Sequence, residues 1–326
     1  MPTAKKETQT DADSQHLDVL KGVKFRPIFI MGSHRSGTTL LHQILEATQC
    51  FNVVTAYHII RYDEIIQNHL NGATDESKAD LAALFEQKGL KNRGIDGIEV
   101  SPDAPVEYGF ALRGEGYRPK LKPSNLENFI ELCKKVQLTS DPDRPLLLKN
   151  PLDFLNFMYV KEMFPDSRFI FIHRNPVNTI NSQLRSIRSM LSAKNEYGAM
   201  LMGWYNNIFD QPIKLRLARF MFSSRFGLGA KLMTRGAAKA TNYFMENISS
   251  LDESDYIGLR YEDLCREPRS TIAKILDHLG LEENAQVDYE SLISVRADAL
   301  LKDVERSRES IIKRTRPYFE RFGYEQ

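Results

Sequence analysis

The sequence predicts an α/β fold: a three-layer sandwich with a central parallel sheet and helices on both faces. Short apolar runs of the kind buried on both faces of a parallel sheet recur at 28–31, 146–148, 169–172 and 256–259. A stretch with helical spacing or helix-start signals follows each run. Three of the runs lead directly into a basic residue, Lys149, Arg174 and Arg260, and the loop after the first carries Arg35. Ligands of open parallel sheets bind at the carboxyl ends of the strands, so this convergence predicts a pocket for an anion.

Residues 1–24 are polar, with Lys5, Lys6, Glu7, Asp11 and Asp13, and read as a loose N-terminal tail from which Leu17, Leu20 and Val23 are available to dock. Residues 25–326 read as a single α/β domain. After the first strand comes Gly32-Ser33-His34-Arg35-Ser36-Gly37-Thr38-Thr39, the spacing of the phosphate-cradling loop G-x-x-x-x-G-K-[ST], with Thr38 in place of the lysine. The sandwich is therefore P-loop-like. A loop lacking the lysine that reaches the β/γ-phosphates is poorly built to use ATP as a donor. It suits a nucleotide whose reactive group sits one phosphate in. Leu40, Leu41, Ile44 and Leu45 share one face, which predicts a helix over 38–47.

The glycine- and proline-rich stretch 92–124 predicts a long structured loop. The second strand ends on Lys149-Asn150-Pro151 and the third on His173-Arg174-Asn175-Pro176, with helices expected over 153–164 and 177–190. Arg174 at a strand end and Ser182 about two turns into the next helix form a fork and a hydroxyl that grip one further phosphate, with Asn178 and Thr179 on nearby turns. Residues 187–250, with Trp204 and Tyr205, read as an inserted helical cap. The fourth strand leads into Arg260-Tyr261-Glu262-Asp263, and a helix over 268–279 stops at Gly280.

The chain has 326 residues, 42% apolar and 27% charged, with a formal net charge of +1, so nothing in its overall balance draws it to nucleic acid. Cys50, Cys133 and Cys265 lie far apart without metal-ligand spacing and read as free thiols of a reducing compartment. With no apolar leader and no run long enough to span a bilayer, the expected location is the cytoplasm.

Taken together, the Arg-Ser-Gly-Thr-Thr loop and the Arg174-x7-Ser182 pair resemble the sulfotransferases that use 3′-phosphoadenosine 5′-phosphosulfate. The resemblance extends through Leu148-Lys149-Asn150-Pro151 and Tyr261-Glu262-Asp263-Leu264, and so over about residues 26–281. The layout is closer to the tyrosylprotein and bacterial branches than to the cytosolic steroid and phenol branch, whose C-terminal Gly- and Lys-rich loop has no counterpart here. The resemblance implies that Arg35, Ser36, Gly37, Thr38 and Thr39 bind the 5′-phosphosulfate and that Arg174 and Ser182 bind the 3′-phosphate. Arg260 and Tyr261 are further donor-site candidates. The expected product is adenosine 3′,5′-bisphosphate.

In-line transfer through a loose transition state depends on positioning and charge stabilisation. Arg35 is expected to hold the bridging oxygen, and Lys149 either that oxygen or the sulfuryl oxygens; no metal is expected. Where the tyrosylprotein branch has its catalytic glutamate, this chain reads Val54-Thr55-Ala56-Tyr57-His58. His58 is the first candidate for the base, since imidazole titrates near neutrality unaided. Glu107 is the second, with Glu64 and His34 behind it.

The cap adds a charge asymmetry. Residues 211–240 hold seven basic side chains and no acidic one, interleaved with large apolar residues. Either this is a solvated basic face over a packed one, or the cap meets anionic lipid or an apolar acceptor. The expected partner is a small, apolar or amphipathic acceptor with a hydroxyl or an amine. The competing readings are a P-loop kinase, which Thr38 opposes, and a non-catalytic nucleotide-binding module.

Overall fold

A computed structural model of the chain describes residues 11–325 apart from 94–98, 113–119, 202 and 294–298. Five parallel strands form one sheet: β1 (Pro27–Met31), β2 (Asn52–Val53), β3 (Leu146–Lys149), β4 (Arg168–His173) and β5 (Tyr256–Arg260). They lie in the order β2-β3-β1-β4-β5. The chain lays β2 and β3 on one side of β1 and β4 and β5 on the other. The order therefore reverses at β1, whose carboxyl end opens the crevice such sheets use for ligands.

Period-two alternation sorts the strand residues onto two cores. Phe29, Met31, Leu146, Leu148, Phe169 and Phe171 face one layer, shared with Phe129, Ile180, Leu184 and Phe244. Ile28, Ile30, Leu147, Ile170 and Ile172 face the other, shared with Leu41, Ile44, Leu45, Ile272, Ile275 and Leu276. Both faces are covered, which is why the strands read as continuous apolar runs.

The helices over Thr38–Ala47 and Pro268–Leu279 occupy the expected residues, the second ending at Gly280 with φ +68°. The helix after β4 is longer than expected, Pro176–Ser192, and the stretch after β3 begins as a 3-10 turn, Pro151–Asn156, before Phe157–Met163. Within the cap, the helix over Leu228–Asn247 also serves as a sheet-covering layer, with the Phe244 ring 5.2 Å from that of Phe171. The Trp204 side chain lies outside the described residues, as do 94–98 and 113–119 of the 92–124 stretch.

Two features differ from the sequence expectation. β2 is only two residues long and begins with an asparagine, so no apolar run announces it. The tail is not loose from Asp11 onward. Asp13 is fully buried, accepts a hydrogen bond from the Gln67 amide at 2.9 Å and pairs with Lys135 at 2.9 Å. Leu20 is buried, whereas Leu17 stays exposed. A buried ion pair fixes the segment together with the expected apolar docking of Leu20.

Candidate active site

The crevice at the end of β1 is shaped first by two glycines. A Cβ on Gly32 would meet Ser36 Oγ at 2.6 Å and the Ile172 carbonyl oxygen at 2.7 Å. Gly37 has φ +103°, and a Cβ there would run into the Tyr261 ring. Between them Arg35 holds φ +69°, a strained conformation of the kind that collects at functional sites. Arg174 donates from Nη1 to the Arg35 carbonyl at 3.1 Å and helps to keep it there. No side chain caps the following helix at Gly37. Its first-turn amides have no acceptor within the helix, and the helix dipole adds positive potential: an anion cradle. Gly37→Ala should destabilise the fold by roughly 1–3 kcal/mol and abolish anion binding at the loop. Urea unfolding and titration with adenosine 3′,5′-bisphosphate check the two effects.

On one side of the cradle stands Lys149. It pairs with Ile30 in the β3–β1 register, is 4% exposed, and donates from Nζ to Thr39 Oγ1 at 2.8 Å. A lysine from the neighbouring strand thus reaches the helix start whose own lysine is replaced by Thr38. Lys149 Nζ also pairs with Glu107 Oε1 at 3.0 Å, with 21% of the Glu107 side chain still accessible.

Glu107 is carried there by its neighbours. The Val106 amide donates to the Val54 carbonyl at 2.8 Å, and Tyr108 donates its hydroxyl to Asp153 Oδ2 at 2.7 Å. The buried Asp153 accepts three further bonds, from the Leu121 amide and from Asn150 and Asn156. Burial pushes the Asp153 carboxyl up, against the pull of these donors. Asp153 thereby ties the Lys149 strand end to the segment that bears Glu107. It follows Lys-Asn-Pro by two residues, a signal the sequence reading left unused.

Burial alone would raise the Glu107 carboxyl. The charges of Lys149 and His34, with the Lys149 hydrogen bond, outweigh it and hold the group below the usual carboxylate range. His34 is open to water on one side, yet the protein crowded around it lowers its imidazole. Glu107 opposes that shift, and Lys149 and Arg35 add to it.

The helix over Pro176–Ser192 supplies the other side. Arg35 Nε donates to Ser182 Oγ at 3.3 Å, and Gln183 donates to the His34 carbonyl at 2.8 Å, so the loop is fastened to this helix. The Arg174 guanidinium lies 4.3 Å from the Tyr261 ring centroid. Asn175 caps the helix through the Val177 amide, and its own amide donates to Glu262. Among the described residues, the hydroxyls of Ser36, in the loop, and Thr179, on this helix, are buried without a hydrogen-bond partner.

Two expected site residues are placed elsewhere. His58 is the third residue of the helix over Ala56–Ile60. Its Nδ1 accepts from the Thr55 amide at 3.0 Å and lies 3.0 Å from the Thr55 hydroxyl, a capping box. Burial, with Lys78 adding and Asp103 opposing, pushes its pKa down to about 3. Among the described residues its hydrogen bonds are with Thr55 and its ring contact is with Tyr57. Arg260 lies at the end of the edge strand β5, with its guanidinium 4.9 Å from the Tyr324 ring centroid and 3.8 Å from Asp263. Its charge is turned to the C-terminal segment. Glu64 pairs with Arg61 at 3.0 Å.

Comparison with known proteins bears on the family and the fold. The profile of a family described as "Sulfotransferase family" matches residues 27–285. The chain is 23% identical to omega-hydroxy-beta-dihydromenaquinone-9 sulfotransferase Stf3 of Mycobacterium bovis, over 78% of this chain and 63% of that protein, so it spans under two thirds of that relative's length. Its fold is similar to that of sulfotransferase STF9 from Mycobacterium avium, with a TM-score of 0.65 at 14% identity, covering 96% of this chain and 81% of that one. It is also similar to that of sulfotransferase STF1 from Mycobacterium tuberculosis, with a TM-score of 0.57 at 17% identity over 93% and 80% of the two chains.

Proposed function

The chain belongs to the sulfotransferase family, and from that premise we propose that it moves a sulfuryl group from 3′-phosphoadenosine 5′-phosphosulfate to the hydroxyl of a small, lipid-like acceptor. The observation that carries this reading is the meeting of Lys149, Thr39 and Glu107 at the start of the 38–47 helix. A cation that reaches the phosphate cradle and a carboxylate stand there within one hydrogen-bond network.

The residues present fit the donor. Gly32 and Gly37 leave the loop backbone bare, and the buried Ser36 and Thr179 hydroxyls have bonds still to make. When bound, the donor supplies an activated sulfuryl group on a phosphate. Ser36, Gly37, Thr38 and Thr39 would hold that phosphate, and Arg174, Ser182 and the Tyr261 face the 3′-phosphate end. Lys149 and Arg35 neutralise charge on the departing phosphate. These cations supply the positive charge, and we assign no metal to the step.

The acceptor's proton goes to Glu107, which is ionised at neutral pH and accessible; His34 lies beside it. His58 is committed to its cap, so we do not assign it the proton. The relative Stf3 is named for a menaquinone bearing a terminal hydroxyl, an alcohol on a long apolar chain. We take the same acceptor class for this chain. The three unpaired cysteines suit a reducing, cytoplasmic setting.

The test is binding: adenosine 3′,5′-bisphosphate should bind tightly and ATP weakly, and labelled donor should pass sulfate to an apolar alcohol. Equal affinity for both nucleotides would overturn the reading. Arg174→Ala and Ser182→Ala should raise the donor KM with little change in kcat, because these groups are remote from the reacting atoms. For Arg174 the loss should be about 10-fold or more, that of a charged hydrogen bond. Initial-rate kinetics against donor concentration measure it.

A further inference from the structure

We infer that the segment over 212–232, a short helix, a turn and the start of the next helix, is the face by which this protein sits on an anionic bilayer; this rests on the lipid-like acceptor proposed above. The helix over Pro212–Met221 has no buried residue. Its Ile213, Leu217 and Phe220 recur at i, i+4 and i+7 on one face and are 84%, 58% and 51% exposed. Across the turn Phe226 is 52% exposed, its ring 5.3 Å from that of Phe220. Leu228 and Leu232 continue the exposed surface onto the next helix. Scattered exposed apolar residues need no explanation, but a contiguous patch of this kind does.

Charge identifies the occupant. Seven of the chain's 44 Lys and Arg lie in 211–240, and none of its 43 Asp and Glu. Arg219 is used structurally, donating to the Leu191 and Ser192 carbonyls. Arg216, Arg225, Lys231, Arg235 and Lys239 are exposed. At the turn a recess is lined by Ser224, Arg225, Leu300, Lys302 and Arg306, with Glu305 the one acidic wall. Large apolar side chains ringed by cations, on a helix too short to span, describe an interfacial helix. Among the described residues no helix is long and apolar enough to cross a membrane.

The segment is also coupled to the site. Arg188 donates from Nε to the Phe222 carbonyl at 2.6 Å and pairs with Asp303 at 2.7 Å. It lies on the same helix whose first turns carry Asn175, Thr179 and Ser182. Docking therefore places the donor site at a fixed height over the leaflet from which the acceptor comes.

The experiment is co-sedimentation of the full chain with vesicles of phosphatidylcholine containing phosphatidylglycerol. Binding is expected at low salt, with release at about 0.5 M salt, where the Debye length is below ~5 Å. Neutral vesicles should bind weakly. The triple variant Arg216→Gln, Arg225→Gln, Lys231→Gln should bind about 100-fold more weakly, from the loss of three charges near the surface. A second variant, Ile213→Ser with Leu217→Ser and Phe220→Ser, should lose vesicle binding at any salt. Both variants should keep wild-type rates on a detergent-dispersed alcohol and lose rate on the same alcohol held in vesicles. Wild type that ignores anionic vesicles while turning over the dispersed alcohol overturns the docking face and leaves the sulfotransferase reading standing; no turnover on either substrate, with vesicle binding intact, does the reverse. A wild-type dimer that the serine variant converts to monomer, without vesicle binding, gives the patch to a second copy of this chain and also overturns the proposal.

Discussion

Lys149→Met should lower kcat by about 10²–10³-fold, the 2.7–4 kcal/mol typical of a donor aimed at charge that develops only in the transition state. The donor KM should change little, because the loop amides, Arg174 and Ser182 remain. Loss of Lys149 has a second consequence. It leaves the largely buried Glu107 without the cation it pairs with, and breaking such a pair costs up to ~3–5 kcal/mol, less here because part of the side chain meets water. The double variant Lys149→Met with Glu107→Gln separates the two effects, since it removes both charges. It should recover stability toward that of the parent and stay inactive. If the double variant recovers activity along with stability, the role of Lys149 is structural. Urea midpoints and single-turnover rates on the same samples give the answer.

Glu107→Gln should lower kcat by about 10²–10⁴-fold, the contribution of a positioned base, and leave donor binding intact. The pH dependence follows from the direction of its shift. The base form is the carboxylate, and the Lys149 charge and hydrogen bond hold its pKa below the group's ordinary value. Wild-type kcat/KM should therefore stay flat from pH 8 down to about 5 and fall only below the ordinary carboxylate range. In Lys149→Met the lowering charge and hydrogen bond are gone while burial still raises the group. The acid limb of the residual activity should then move to higher pH. His58→Ala serves as the contrast: it removes a helix cap worth ~1 kcal/mol and should leave the profile in place. A flat wild-type profile with an inactive His58→Ala and an active Glu107→Gln would return the proton to His58.

The strands and the cradle were legible because they are local. Phe29 and Ile30 point to opposite faces whatever else the chain does, and both are apolar because both faces are covered. Gly32 and Gly37 at fixed spacing, between an apolar run and an amphipathic helix, announce a phosphate loop before any contact is known. β2 was not legible, because two residues beginning with Asn52 carry no period. Asp13 reads as tail by composition, and only the distant Lys135 makes it core.

The base shows most clearly where local reading ends. By residue type His58 ranks ahead of Glu107, because the imidazole has the more suitable ordinary pKa. Under the proposed function, position in space favours the opposite order. His58 spends its nitrogen on the Thr55 amide and loses its basicity to burial, while the Asp153 network holds the segment of Glu107 against Lys149, 42 positions further along the chain. The sequence by itself determined four of the five strands, the loop and the cations at the strand ends, because hydrophobic period and glycine sterics act over a few residues. Only the tertiary structure decided which titratable groups meet, which cation reaches the helix start beside Thr38 and which apolar side chains of 211–240 are left in water. Those outcomes depend on contacts between segments far apart in the chain, and no local pattern encodes them.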